Sequence, residues 1–305
     1  QGLDNILILE REDDLGGTWH VNHYPGLAVD IPSVTYSYSF EPNPFWSRLF
    51  APGSELKKYA VHVADKYDLH QHMRFNTAVQ GARWDEDESC WVISLAGGET
   101  VTTRYLVGAT GYLSQPYRPE IAGIDDFAAD VLHTSAWDDS YDLTGKRVAV
   151  IGTGATAVQL IPEVAKVAGE LTVYQRTAIY VTAKTDFAMP KSVQRIFARF
   201  PITQRAARAV STSLLEVLMV AGVLKYRQFR RVNARASNLA MRNLGRHIKD
   251  PEMRKKLTPD YSFGCKRPTF SNTYFPTFNK PNVHLETTPI DHFETDGIVT
   301  ADGNK

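Results

Sequence analysis

Six consecutive residues carry the clearest chemistry in this sequence: Gly152-Thr153-Gly154-Ala155-Thr156-Ala157. They follow an apolar run, Lys146 to Ile151, and precede a run from Val158 to about Val167 with helical spacing. A GxGxxA pattern between a strand and a helix predicts a dinucleotide-binding turn. Gly152 permits the tight turn, Gly154 lets the backbone approach a pyrophosphate, and Ala157 keeps the helix close to the sheet. The helix N-terminus then aims N–H groups at the anion. The next strand-like run, Leu171 to Tyr174, leads into Gln175-Arg176-Thr177 where an acid is common. An acid there would bond a ribose 2′-hydroxyl and repel a 2′-phosphate. A guanidinium does the reverse, so NADP(H) is expected rather than NAD(H).

A second pattern opens the chain. Asn5-Ile-Leu-Ile-Leu-Glu10 is an apolar run ending in a carboxylate. It suits the second strand of a nucleotide-binding βαβ unit, whose terminal acid bonds an unphosphorylated ribose, as in FAD. Such a unit needs an earlier strand and a glycine-rich turn. The sequence is therefore expected to be a fragment, truncated at both ends, of a parent with a GxGxxG segment roughly 20 to 30 residues before Glu10. Without that segment FAD would lose its pyrophosphate cradle. At the other end Asp296 to Gly303 reads as a hairpin stopping just after its turn.

The elements that must position these residues are those of a soluble two-domain protein. The chain has 305 residues, 43% hydrophobic and 22% charged, with 34 basic and 34 acidic residues. That balance argues against a protein built to coat nucleic acid. Cys90 and Cys265 form no close pair, so a disulfide framework or thiolate metal site is not expected. His20, His23, His62, His70 and His72 lack metal-ligand spacing, and no GxSxG elbow supports serine hydrolysis. The N-terminal residues lack signal-peptide character, and the longest apolar run, around Leu214 to Leu224, is short and contains Glu216. Neither is expected to enter a membrane, and the location is expected to be cytoplasmic. Within 191–256 lie 16 Lys and Arg against three Asp and Glu, in a helix-like stretch. A solvated helical insertion is favoured there over a surface for anionic membrane or another acidic partner.

Several segments together resemble the Baeyer–Villiger monooxygenases, the class B flavin-dependent monooxygenases. Leu15-Gly16-Gly17-Thr18-Trp19, continuing through Tyr24-Pro25-Gly26 to Asp30, is similar to that family's flavin-contacting loop. Gly108-Ala109-Thr110-Gly111 resembles its ATG motif. Phe127 to Asp138, with His133 and Trp137, resembles the signature FxGxxxHxxxW followed by Pro or Asp, except that Ala129 replaces its glycine. Cys265-Lys266-Arg267-Pro268 resembles the segment carrying the family's catalytic arginine.

The resemblance implies an α/β fold with two Rossmann-like domains, for FAD and NADP, and a helical insertion in the second. It assigns 1–115 and 287–305 to an incomplete FAD domain, 116–145 to a signature-bearing linker, and 146–286 to the NADPH domain, interrupted by 191–256. It places Glu10 at the FAD ribose, Gly17, Thr18 and Trp19 along the flavin, Asp30 and Tyr36 beside it, and the Val79 backbone at the adenine. Gly152, Thr153, Gly154, Ala155, Thr156, Ala157 and Gln159 would meet the NADP dinucleotide, with Arg176, Thr177 and Lys266 at its 2′-phosphate. Phe127, His133 and Trp137 would act structurally, coupling the linker to cofactor movement.

The implied reaction uses NADPH and dioxygen to insert oxygen into a ketone, giving an ester or lactone through a C4a-peroxyflavin. Arg267, oriented by Asp30, would stabilise that anion and the adduct formed with the ketone. No nucleic-acid partner is implied. Two other readings stay open: an N- or S-oxidising flavin-containing monooxygenase, against which Trp137 and Arg267 count, and a non-catalytic cofactor-binding remnant.

Overall fold

The computed structural model describes residues 5–111, 113–225 and 227–305. By packing, the chain divides into two compact units, one of residues 1–23 and 53–117, the other of 24–52 and 118–305. The expected FAD-domain segments 24–52 and 287–305 thus both group with the second unit. The reason for the tail is local. The Phe293 N–H donates to the Ala122 carbonyl at 2.8 Å, and the Phe127 and Phe293 rings meet edge to face at 5.5 Å.

In the first unit, β1 (Ile8–Leu9) pairs in parallel with β2 (Met73–Arg74). Between them come α1 (Thr18–Val21), α2 (Gly53–Lys66) and a 3-10 turn at His70–His72. An antiparallel meander follows, β3 (Val79–Asp85), β4 (Cys90–Leu95) and β5 (Thr100–Thr103). The apolar run Asn5–Leu9 forms only a two-residue strand, and Ile6, Leu7 and Ile8 remain exposed. Tyr105, Leu106 and Val107, ahead of the ATG-like segment, are likewise exposed and form no strand.

In the second unit, β6 (Arg147–Ile151), α3 (Ala155–Val167) and β7 (Glu170–Tyr174) make a βαβ unit, and β10 (Val283–Glu286) extends its sheet in parallel, in the order β10-β7-β6. This agrees with the sequence reading, with the helix starting three residues earlier than expected. The apolar face of α3, through Val158, Ile161, Val164 and Ala165, packs on the fully buried Leu171 and Val173. A second parallel ladder joins β8 (Val181–Thr182) to β9 (Thr269–Phe270). Between these lie α4 (Lys191–Arg199), α5 (Pro201–Val217) with a π-helical extension at Leu218–Leu224, α6 (Arg230–His247) and α7 (Pro251–Lys256). Asp250 caps α7 by accepting from the Glu252 and Met253 N–H groups, with Pro251 at its first position. After α8 (Tyr274–Thr277) and β10, a hairpin of β11 (Ile290–Glu294) and β12 (Gly297–Thr300) turns at 295–296, so Gly297 begins its second strand.

The basic stretch is helical, as expected, but its apolar run differs from the reading. Leu214–Leu224 continues one rod from Pro201, and this 24-residue rod is long and apolar enough to cross a membrane by length and composition. Its faces are inverted relative to an ordinary surface helix. Gln204 and Arg208 donate inward to the Asn43 and Ser37 carbonyls, at 2.7 and 2.6 Å, and Ser211 accepts from Thr35 at 2.8 Å. Ile202, Val210, Leu214 and Val217 are exposed.

Candidate active site and cofactor cradle

The glycine turn sits where the sheet presents its C-terminal strand ends. The Gly152 N–H donates to the Tyr174 carbonyl at 3.0 Å, and the Thr153 hydroxyl to the Thr177 carbonyl at 2.9 Å. These bonds fasten the turn beside Arg176 and bury the Thr153 side chain. Gly152 has φ +112°, a conformation that favours glycine. A Cβ at Gly152 or Gly154 would meet nothing within 4 Å, so the backbone is open to a close ligand. Gly154 caps α3 without a side-chain bond, leaving the first-turn N–H groups for an anion.

Next to this turn is an open cavity of about 520 Å³, lined among others by Arg176, Thr177, Lys256, Tyr261 and Lys266. Three cations thus face one carboxylate, that of Asp260. The buried Gln175 amide donates to the Lys256 carbonyl at 2.7 Å and ties the end of α7 to the strand end. The Lys266 ammonium stands 5.1 Å from the Tyr261 ring centre, a cation–π contact. Burial, then the neighbouring Tyr180, raises the Tyr261 hydroxyl above its ordinary pKa. The residues fit a phosphorylated dinucleotide: glycine backbone for the pyrophosphate, guanidinium and ammonium groups for a 2′-phosphate. Lys256 escaped the sequence reading because its charge is submerged in a long basic stretch, and only the packing of α7 singles it out.

Arg267 lies two residues before β9 and Asp30 in the loop 24–33, 237 positions away in sequence. Their side chains meet, Nη2 donating to Oδ2 at 2.5 Å. Asp30 is 28% exposed and Arg267 61%, so the guanidinium offers its remaining N–H groups outward. This is the pairing that the family resemblance implies. The loop that carries Asp30 is gripped from α3. The Gln159 amide donates to the Ala28 carbonyl at 2.9 Å and accepts from the Ala28 N–H at 3.4 Å and the Tyr24 hydroxyl at 3.1 Å. The Gln159 side chain, expected at the dinucleotide, makes these bonds to the loop. Gly26, with φ +84°, passes so close to α3 that a Cβ would lie 2.6 Å from the Gln159 carbonyl oxygen. The Tyr24 hydroxyl is pushed up by burial, against a hydrogen bond with Thr156, which spends that hydroxyl inside the fold.

Of the remaining expected flavin residues, all but Tyr36 belong to the first unit. Glu10 follows β1, its N–H donating to the Arg74 carbonyl at 3.0 Å and its carboxylate accepting from the Glu12 N–H at 3.0 Å. Gly17, φ +51°, precedes α1, which carries Thr18 and Trp19, and nothing lies within 4 Å of its Cβ position. Val79 opens β3 and is exposed. An acid for a ribose and an open glycine for close approach suit the adenosine and flavin portions of FAD. Tyr36 belongs with Asp30 to the second unit, its N–H bonded to the Pro32 carbonyl at 3.0 Å.

The signature residues Phe127, His133 and Trp137 lie in the second unit. Phe127 packs on Phe293, Trp137 packs against the βαβ core, and His133 Nδ1 is 2.7 Å from the Ser135 hydroxyl. Ala129 is absent from the positive-φ residues, so its exchange for glycine brings no backbone strain. Among the described residues no cluster of three His, Cys, Asp or Glu side chains is placed to hold a metal.

The parallel βαβ unit, the glycine turn and the cation-lined cavity together have the features of a dinucleotide-binding fold. The sequence matches the pyridine nucleotide-disulphide oxidoreductase family profile over residues 2–206, and the chain belongs to that family. Within it, the chain is 39% identical over all 305 residues to a Baeyer–Villiger monooxygenase of Streptomyces coelicolor, and 40% identical to one of Pseudomonas aeruginosa. It spans 58% and 57% of those two proteins. Among solved structures it resembles OTEMO in complex with FAD and NADP, with TM-score 0.84 and 32% identity. It resembles oxidised steroid monooxygenase bound to NADP with TM-score 0.85 and 33% identity. In both cases 98% of this chain matches 64% of the other.

Proposed function

We propose that this chain is the cofactor-handling part of a flavin-dependent monooxygenase that uses NADPH and dioxygen to convert a ketone into an ester or lactone. The Asp30–Arg267 pair carries this reading, because two groups so distant in sequence meet in the unit that also holds the NADP-type cradle. The likeness to Baeyer–Villiger monooxygenases and to structures holding FAD and NADP supports it. Two nucleotide-binding domains follow from the reading, one keyed by Glu10 for FAD and one by Arg176 for NADP.

Bound flavin would supply the redox chemistry with dioxygen that amino-acid side chains lack. The work of the chain's own residues is positional and electrostatic. The glycine turn and the N-terminus of α3 hold the NADPH pyrophosphate, and Arg176, Lys256 and Lys266 hold its 2′-phosphate. Arg267, permanently cationic, stabilises negative charge on the reacting oxygen, and Asp30 fixes its orientation by a charge-assisted hydrogen bond. Lysine would replace it poorly, because a point charge lacks the fork that can contact carboxylate and substrate together.

The test uses the whole gene product. NADPH oxidation is measured with a panel of ketones and the products are analysed for esters or lactones. Ester formation is expected, and Arg267→Ala should lower it at least about 100-fold, the scale of losing one transition-state donor, while NADPH oxidation persists. Lactone formation at near-normal rate by that variant would sink the assignment, as would selective oxidation of amines or sulfides.

A further inference from the structure

Three successive residues of the loop bearing Asp30 are each held by a side chain from a different part of the second unit. Gln159 holds Ala28 and Arg267 holds Asp30. The residue between them, Val29, is held by Lys184, whose ammonium donates to its carbonyl at 3.1 Å. The parallel β8–β9 ladder carries both cations, Lys184 two residues after β8 and Arg267 two residues before β9. The backbone at Lys184 is itself clasped. Its N–H donates to the Asn272 side chain at 2.8 Å, and the Asn272 amide returns a bond to its carbonyl at 2.6 Å.

We propose that Lys184 is a positioning residue for the Asp30–Arg267 pair, its ammonium fixing the Val29 carbonyl and with it the backbone that carries Asp30. The inference rests on the reading of Arg267 as the residue that stabilises charge on the reacting oxygen. The lysine is partly buried over the Phe50 ring, 4.7 Å from its centre. Burial pushes its pKa below the ordinary lysine value, and the nearby Asp186 and Asp30 carboxylates oppose that shift while Arg48 adds to it. A partly buried ammonium is a costly way to make one hydrogen bond that any neutral donor could make. What a neutral donor cannot supply is charge. The ammonium brings a positive charge near the Asp186 and Asp30 carboxylates. Among the described residues Arg267 makes one hydrogen bond, so most of its fork stays available to ligand.

The test is Lys184→Met, which keeps the stem and removes the charge, beside Lys184→Arg, which restores a cation. In the whole gene product, amide hydrogen exchange at Val29 and Asp30 should rise about tenfold in Lys184→Met and return toward wild type in Lys184→Arg. With ketone present, the methionine variant should lose about tenfold in kcat for ester, with KM for NADPH nearly unchanged, because the NADP cradle is untouched. Unchanged exchange at Val29 and Asp30, in a variant with wild-type thermal midpoint, would overturn the proposal. So would equal losses in both variants, which would mark a packing role. Arg267→Ala separates this outcome from failure of the parent reading. If that variant loses ester formation and Lys184→Met does not, only the Lys184 inference falls.

Discussion

Two stretches of the sequence look alike, and the structure treats them differently. Asn5–Leu9 and Arg147–Ile151 are both apolar runs expected to be strands of nucleotide-binding units. The second becomes a five-residue strand whose neighbour β7 buries Leu171 and Val173 completely, covered by α3 and extended by β10. The first becomes a two-residue strand in which Ile8 is 39% exposed. The apolar pattern is the same. What differs is the extent of pairing and cover: each run has one strand partner, but Arg147–Ile151 keeps register with β7 over five residues and sets Val148 and Val150 against the core, whereas β1 pairs with β2 over two residues. Among the described residues, Asn5–Leu9 pairs only with β2. The contrast extends to the end of each strand, where Glu10 is held by a turn of its own loop and Arg176 stands at a formed cavity.

The sharpest way to break this comparison is to truncate one apolar side chain in each of the two sheets, Leu171 on β7 and Ile8 on β1. Leu171→Ala should cost about 2–5 kcal/mol in the unfolding of the second unit, whereas Ile8→Ala should cost less than about 1 kcal/mol. Urea titration followed by hydrogen exchange resolves the two units, and comparable losses would erase the distinction. A middle-sized effect concerns the strand ends. Arg176→Ala should weaken NADP⁺ binding about 10- to 100-fold, as expected for lost hydrogen bonds to a charged group, and leave NAD⁺ binding unchanged. Calorimetric titration with both nucleotides checks it, and equal losses for both would move Arg176 away from the 2′-phosphate.

The smallest effect lies near α1. Asp14 accepts from the Lys57 ammonium at 2.6 Å, and that bond holds its carboxyl below the ordinary value of 3.8. A carboxyl depressed in the folded state contributes stability that is complete above its unfolded pKa. That stability is lost as pH falls from 3.8 through the lower folded value. Lys57→Met should therefore flatten the acid limb of the first unit's stability slightly, read from urea midpoints between about pH 5 and pH 2. An unchanged limb would show the pair to be worth nothing in water.

Read alone, the sequence determined the local chemistry of this protein. The GxGxxA turn, the strand before it, the helix after it and Arg176 at the following strand end all lie within 31 residues. Their roles depend on backbone conformation and on near neighbours, which sequence encodes directly. The helical character of 191–256 was legible for the same reason. Other features were decided only by tertiary packing, because each depends on which distant segments meet. Gln159 sits in the motif, yet its amide serves the loop at Ala28, 131 residues away. Lys184 gives no signal in a sequence rich in lysine, and becomes notable only because the β8–β9 ladder and Asn272 aim it at Val29, 155 residues away. The inverted α5 faces were likewise invisible, since the run of apolar residues says nothing of where Asn43 and Ser37 will stand. Spacing fixes what a residue can do over one or two turns of chain. Which partner it finds across a hundred residues is set by how helices and sheets bury their apolar faces together.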